Sequence, residues 1–122
     1  MQKRTLLASL SYALRGLAHA FATQRNLRVH VGTGVAVLAA AAWLNVSVIE
    51  WVIIGVTVTL VLVAELLNTA VELLVDFSSK ERRNEAMVIK DVAAGAVLVC
   101  CLSAVMVGCV VFLPRLTRWL RS

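Results

Sequence analysis

Three long apolar runs constrain the fold of this chain more than any other feature. They lie at about 29–44, 48–74 and 92–113. Each is near the roughly 20 residues that an α-helix needs to cross a bilayer, the first being short unless it continues back through Leu27. With 61% hydrophobic residues and a mean hydropathy of +0.89, the chain is too apolar for an ordinary soluble domain. We therefore expect an all-α integral membrane protein of one domain, residues 1–122, with three transmembrane helices at about 27–45, 48–76 and 86–113.

The segment before the first run has the pattern of an amphipathic surface helix at about 4–23. Apolar residues recur at spacings of three and four, while basic and polar ones fall mainly on another side: Leu6, Leu10, Leu14, Leu17 and Phe21 against Arg4, Ser11, Arg15 and His19. Such a helix suits the headgroup region of a membrane, and a helix packed on the spans would show the same pattern. It does not resemble a secretory signal, because polar residues interrupt any apolar core region.

Basic residues are unevenly distributed in this chain of formal net charge +5. Most precede the first span or follow the second, and a few lie in the tail: Lys3, Arg4, Arg15, Arg25, Arg28, Lys80, Arg82, Arg83 and Lys90 against Arg115, Arg118 and Arg121. This excess predicts a cytoplasmic N-terminus and a cytoplasmic 76–90 loop. The tail then lies outside, although its three arginines would favour the cytoplasmic side. Nucleic-acid binding is not expected, because no soluble basic face is available.

Two further groups of residues favour structural interpretations. Trp43 and Trp51 bracket the turn between the first two spans, as interface aromatics do, and Glu50 between them is expected to be solvated. The cysteines all lie inside the third run, where packing is a simpler interpretation than metal binding or disulfides: Cys100, Cys101 and Cys109.

A stripe of polar residues follows the end of the second run. Glu65, Asn68, Glu72 and Asp76 are spaced three, four and four residues apart. At about 100° per residue, all four fall within roughly an 80° sector of one helix face. Ionisable groups at membrane depth are costly, so they are candidates for function.

The stripe also changes depth along the helix. With a rise of about 1.5 Å per residue, Glu65 lies roughly 16 Å deeper than Asp76. Lys90 and Asp91, at the start of the third span, return to the level of Glu72 and Asp76 near the headgroups. This layer contains the groups that phosphoryl transfer needs. Carboxylates can bind Mg²⁺, cations can bind phosphate, and a desolvated carboxylate can take the proton of an alcohol. A proton-coupled carrier of small solutes, which also uses intramembrane carboxylates, stays an open alternative.

These residues resemble a known family. The segment 65–72 reads Glu-Leu-Leu-Asn-Thr-Ala-Val-Glu, and Val75-Asp76 and then Lys90-Asp-Val-Ala-Ala-Gly-Ala96 follow it. This pattern resembles the prokaryotic diacylglycerol kinases, which are small membrane lipid kinases, over nearly the whole chain. Residues 25–30, Arg-Asn-Leu-Arg-Val-His, resemble the undecaprenol kinase branch more than the enterobacterial branch.

The resemblance implies roles for individual residues. Glu65 matches the general base that would deprotonate the lipid hydroxyl, and Asn68 matches another residue of that active site. Glu72 matches a metal ligand that approaches the nucleotide phosphates. The positions that contact nucleotide correspond to Tyr12, Glu72, Glu81, Arg83, Lys90 and Asp91, and the region that faces lipid and phosphate contains Arg15 and Arg28.

The resemblance also implies an enzyme that uses ATP and Mg²⁺ in the bacterial cytoplasmic (inner) membrane, as a homotrimer with sites shared between neighbouring subunits. One position departs from the family's pattern, because the residue that matches the family's second metal-binding glutamate is Gln24 in this chain. A glutamine carbonyl can ligate Mg²⁺ but brings no charge, so we expect Glu72 and Gln24 as metal ligands. On resemblance alone, undecaprenol is the first expected acceptor and diacylglycerol the second.

Overall fold

The structure, a computed structural model, describes residues 5–78 and 83–122. The described residues form four α-helices in chain order: α1 (Leu6–Thr23), α2 (Arg25–Trp43), α3 (Val48–Ser78) and α4 (Arg83–Arg121). The expectation of an all-α fold is thus confirmed. α3 packs along α4 and against α2, and α1 contacts α2. We call the end of the bundle where α3 ends and α4 begins the loop end, and the end where α2 ends and α3 begins the turn end.

α1 and α2 meet at one residue rather than at a loop. Gln24 breaks the helical path with an extended backbone, φ −104° and ψ 108°. The Nη1 atom of Arg28 donates to the carbonyls of Phe21 and Ala22 at 2.8 and 2.9 Å. A basic side chain that satisfies the last carbonyls of a helix stabilises its C-terminus, so Arg28 holds the end of α1 against α2.

The turn between α2 and α3 is closed by hydrogen bonds and by an ion pair. Asn45 adopts a positive φ of 52°, which asparagine tolerates better than most residues. Ser47 and Glu50 cap α3 reciprocally, each side chain accepting from the other's backbone N–H at 3.2 and 2.8 Å. The Arg115 guanidinium of α4 donates to both oxygens of Glu50 at 2.8 and 2.5 Å. Glu50 is therefore only partly solvated, with 25% of its side chain exposed, because the cap and Arg115 occupy its carboxylate.

α4 is longer than the third span that the sequence predicts. Its 39 residues extend over about 58 Å, against roughly 30 Å for the hydrocarbon core of a bilayer. The helix continues through Pro114 to Arg121, beyond the predicted end at 113. At the turn end, the Trp119 ring meets the Trp43 ring edge to face, with 5.7 Å between centroids and 65° between planes. The extension of α4 is thus packed on the end of α2.

Two of the helices in residues 5–78 and 83–122, α3 and α4, are long and apolar enough to cross a membrane. α2 does not meet that criterion, because Arg25, Asn26, Arg28 and His30 occupy its first two turns. The expectation of three spans is thus supported for two helices, and a spanning role for α2 stays a prediction.

The small buried core lies at the turn end and is formed by Ala41, Val46, Ile54 and Val111. Nearer the loop end, α2 and α3 approach closely at Gly34, where a Cβ atom would come within 2.9 Å of Val58 Cγ1. Most other apolar side chains of α3 and α4 are exposed. So much exposed apolar surface is unusual for a soluble monomer and is expected of helices that face lipid or other helices.

Candidate functional site

The polar stripe of α3 begins inside the bundle and ends at its surface. Glu65 and Asn68 are buried, with 2% and 8% of their surfaces exposed. Glu72 is half-buried and Asp76 is exposed at the loop end. Exposure therefore rises along the stripe toward the loop end, while the depth of these residues in a membrane stays a prediction.

Asn68 is hydrogen-bonded within the stripe. Its Nδ2 atom donates to Glu72 Oε1 at 3.0 Å. Its Oδ1 atom is buried and has no hydrogen-bond partner among the described residues. An unpaired buried acceptor costs free energy, so it marks a place where a donor or a cation would be stabilised.

α4 brings a cation to the outer part of the stripe. The Lys90 ammonium donates to Asp76 Oδ1 at 2.5 Å and lies close enough to Glu72 for an electrostatic interaction. This contact joins α3 and α4 at the level where the sequence predicts that Lys90 lies beside Glu72 and Asp76. Asp91 and Arg83, both predicted to contact nucleotide, are exposed on the first turns of α4. Glu81 lies outside the described residues.

The remaining predicted residues lie on α1 and at its junction with α2. Arg15 Cζ is 5.8 Å from the centroid of the Tyr12 ring, a cation–π arrangement. Gln24 is half-buried at the junction, and Arg28 is held by the carbonyls at the end of α1. The roles of these four residues in binding nucleotide, lipid or metal stay predictions.

His30 is a neighbour of Glu65 that the sequence reasoning did not identify. Its Nε2 atom lies 3.6 Å from Glu65 Oε2, with side-chain exposures of 22% for His30 and 3% for Glu65. In the sequence, His30 ends the segment 25–30 that resembles the undecaprenol kinase branch. No signal within one segment could have found this contact, because His30 lies on α2 and Glu65 on α3.

An apolar cleft of about 410 Å³ extends from His30 toward the turn end. α2, α3 and α4 line it, with Val37, Ile54 and Phe112 among the lining side chains. His30 and Cys101 are ionisable residues in this lining, and Cys101 also interacts electrostatically with Glu65. A hydrocarbon chain in the cleft would therefore have one end beside the buried carboxylate.

The side chains of the site limit how a metal ion could bind there. Within residues 5–78 and 83–122, no three His, Cys, Asp or Glu side chains converge closely enough to hold one. Glu72 nevertheless offers a carboxylate, and Asn68 Oδ1 is an unpaired oxygen on the neighbouring turn. Mg²⁺ is often bound by one or two carboxylates together with substrate phosphates, so these residues fit a Mg²⁺–nucleotide complex better than a bare ion.

The fold and the site define a class of protein: a small, all-helical membrane protein with carboxylates at one end of its bundle. Residues 11–112 match the sequence model of the family described as prokaryotic diacylglycerol kinase. The chain belongs to this family. The two apolar helices and the family together indicate a membrane protein, and the family and its relatives' names indicate a lipid kinase.

Three relatives illustrate the similarity. A diacylglycerol kinase of Synechocystis sp. is 47% identical over 112 residues, which are 91% of this chain and 64% of that protein. An undecaprenol kinase of Bacillus subtilis is 37% identical over 108 residues, 88% of each chain. A diacylglycerol kinase of Escherichia coli is 33% identical over 108 residues, 86% of each chain. This chain thus spans less than two thirds of the Synechocystis relative's length.

Proposed function

We propose that this protein transfers the γ-phosphoryl group of ATP to the hydroxyl of a membrane lipid alcohol, at the cytoplasmic face of the bacterial inner membrane. One observation carries the proposal: a buried carboxylate, Glu65, shares a helix face with the Asn68–Glu72 pair nearer the loop end. A lipid hydroxyl can approach Glu65 from the apolar side, and nucleotide phosphates can approach the Asn68–Glu72 pair from water.

Glu65 is the general base in this proposal. It takes the proton of the lipid hydroxyl as the oxygen forms a bond to the γ-phosphorus. The bond from that phosphorus to the β,γ-bridging oxygen breaks, and ADP leaves with the electron pair. Burial excludes water from Glu65, which favours transfer to the lipid over hydrolysis of ATP.

Glu72 and Lys90 serve the nucleotide side. Glu72, with Asn68 Oδ1 beside it and Gln24 from the α1–α2 junction, would hold Mg²⁺, which when bound neutralises charge on the phosphate oxygens. Lys90 is held near Glu72 by Asp76, where its ammonium can contact a phosphate. Tyr12, Glu81, Arg83 and Asp91 complete the proposed nucleotide contacts, and Arg15 and Arg28 the proposed contacts with lipid and phosphate.

The acceptor is a lipid alcohol whose chain enters the apolar cleft next to His30. We place undecaprenol first, because residues 25–30 resemble that branch, and diacylglycerol second. The names of the relatives include both substrates. Both acceptors present a hydroxyl on an apolar chain, and that shared chemistry is what the cleft and Glu65 would recognise.

We further propose that the protein is a homotrimer with its N-terminus and the 76–90 loop in the cytoplasm. The exposed apolar surfaces of α3 and α4 support an assembly of helices. Gly16, Gly55 and Gly95 leave open space around their Cα atoms, which permits close contact with another helix. Cross-linking in native membranes, read as dimer and trimer bands, tests this assembly.

The test is purified protein in mixed micelles with γ-labelled ATP and Mg²⁺, offered undecaprenol and diacylglycerol in turn. We expect labelled lipid, with the faster acceptor identifying the natural class. No labelled product from either lipid would refute the kinase proposal. A proton-coupled carrier would instead show ATP-independent flux in liposomes that does not depend on Lys90.

A further inference from the structure

Glu65 has an ionisable partner on a different helix. The 3.6 Å separation between His30 Nε2 and Glu65 Oε2 is too long for a hydrogen bond, but it is within the range of an ion pair. Catalytic contacts are often this long before substrate binds and tighten in the complex with substrate. His30 is also much more exposed than Glu65, at 22% against 3% of the side chain.

The proposed function creates a need that this pair can meet. A base that takes a proton in every turnover must lose it before the next one. Glu65 is almost completely shielded from water, so direct release is hindered. Histidine ordinarily changes its charge near neutral pH, which makes it suited to accept a proton and pass it on.

The other groups around Glu65 are poorer acceptors. Cys101 of α4 interacts with Glu65, but an ordinary thiol is already protonated at neutral pH and cannot accept a further proton. Arg28 of α2 stays protonated and is bonded to carbonyls of α1. Glu72 of α3 lies two turns away and is hydrogen-bonded to Asn68. α1 meets α2 and α3 at a second cavity, and the side chains that line this cavity are apolar and cannot accept a proton.

We infer that His30 returns Glu65 to its ionised form after each turnover. The proton that Glu65 removed from the lipid hydroxyl moves from a Glu65 carboxylate oxygen to His30 Nε2. The imidazolium then releases this Nε2 proton to water at the loop end, so both side chains return to their starting states. This inference rests on the proposed function of Glu65 as the base, and it makes His30 a proton-transfer residue.

The test is a comparison of the first turnover with later ones in His30→Gln. His30 acts only after the chemical step in this inference, so the first phosphorylation should proceed at the wild-type rate. Later turnovers should be slower on the order of 10²-fold, the lower end of what a positioned proton-transfer group contributes. Rapid-quench measurement should therefore show a burst of about one labelled lipid per chain, followed by a slow phase.

His19→Gln is the matched control, because His19 is the other histidine of the chain and is exposed on α1. It should show wild-type rates in both phases. If His30→Gln does not fold, as judged by ATP binding, His30→Asn is measured in the same way. Equal slowing of the first and later turnovers, or unchanged steady-state turnover, would overturn the inference.

The same assay separates the two proposals. Wild-type protein that labels neither lipid contradicts the proposed function. Active wild-type protein whose His30 variants show no burst contradicts the role of His30 alone.

Discussion

Asn68 and Glu72 are joined by a hydrogen bond of 3.0 Å from Nδ2 to Oε1, one turn apart on α3. This bond orients the Glu72 carboxylate, and Asn68 Oδ1 is buried without a partner among residues 5–78 and 83–122. Asn68 thus stands between the buried base candidate Glu65 and Glu72 on α3, and its hydrogen bond supports the half-buried carboxylate proposed to face the nucleotide.

Replacing Asn68 tests that connection. Asn68→Ala should raise the Mg²⁺ concentration needed for half-maximal activity by about 10- to 100-fold, as loss of supporting groups around metal ligands does. Mg²⁺ titration of kinase activity is the measurement. Thr69→Val is the control, because Thr69 is also buried but its hydroxyl donates to the Glu65 backbone carbonyl at 3.0 Å and not to a side chain of the stripe. Equal effects of the two substitutions would show that burial and not the Asn68–Glu72 bond matters.

Gln24 permits a test in the opposite direction. Gln24→Glu adds a negative charge at the junction of α1 and α2, where we propose a metal ligand. Activity should then saturate at a lower Mg²⁺ concentration than in the wild type, because a carboxylate binds Mg²⁺ more strongly than an amide. A Mg²⁺ titration identical to that of the wild type would place Gln24 outside the metal site.

The close approach of α2 to α3 predicts opposite effects of two glycine substitutions. In Gly34→Ala the new Cβ would lie 2.9 Å from Val58 Cγ1, and such overpacking costs about 1–3 kcal/mol. In Gly32→Ala the new Cβ meets nothing within 4 Å, and alanine favours a helix by about 1 kcal/mol over glycine. Thermal unfolding in detergent should therefore show a lower Tm for Gly34→Ala and a Tm at or above wild type for Gly32→Ala. Restoration of Tm in Gly34→Ala/Val58→Ala would confirm the contact.

The turn end should depend on the ion pair between Glu50 and Arg115. Glu50→Gln keeps the shape of the side chain but removes the charge that both guanidinium contacts use. We expect a lower Tm in detergent than for the wild type, and a smaller change for Arg121→Gln, since Arg121 is exposed on the last turn of α4. A Tm for Glu50→Gln equal to that of Arg121→Gln would show that the pair does not stabilise the fold.

Features that depend on one helix could be predicted from the sequence. Helical spacing placed Asn68 and Glu72 on one face, and the structure joins them by a hydrogen bond. The apolar runs indicated α3 and α4, although α4 continues beyond the predicted end because Pro114 does not interrupt it.

Features that depend on two helices could not be predicted in this way. The approach of His30 to Glu65 requires a particular rotation of α2 against α3, which is set where Gly34 meets Val58. The ion pair between Glu50 and Arg115 joins residues that are 65 positions apart. No local pattern contains such pairs, since each side chain alone is equally compatible with solvent exposure.

The most direct test of the account is phosphoryl transfer by Glu65→Gln beside the wild type, with labelled ATP and the preferred lipid. Because the substitution removes the base and leaves Glu72 and Lys90 in place, turnover should fall by at least about 10²-fold. ATP binding, measured on the same preparation, should stay near the wild-type affinity. Labelled lipid produced by Glu65→Gln at a rate near that of the wild type would contradict the account.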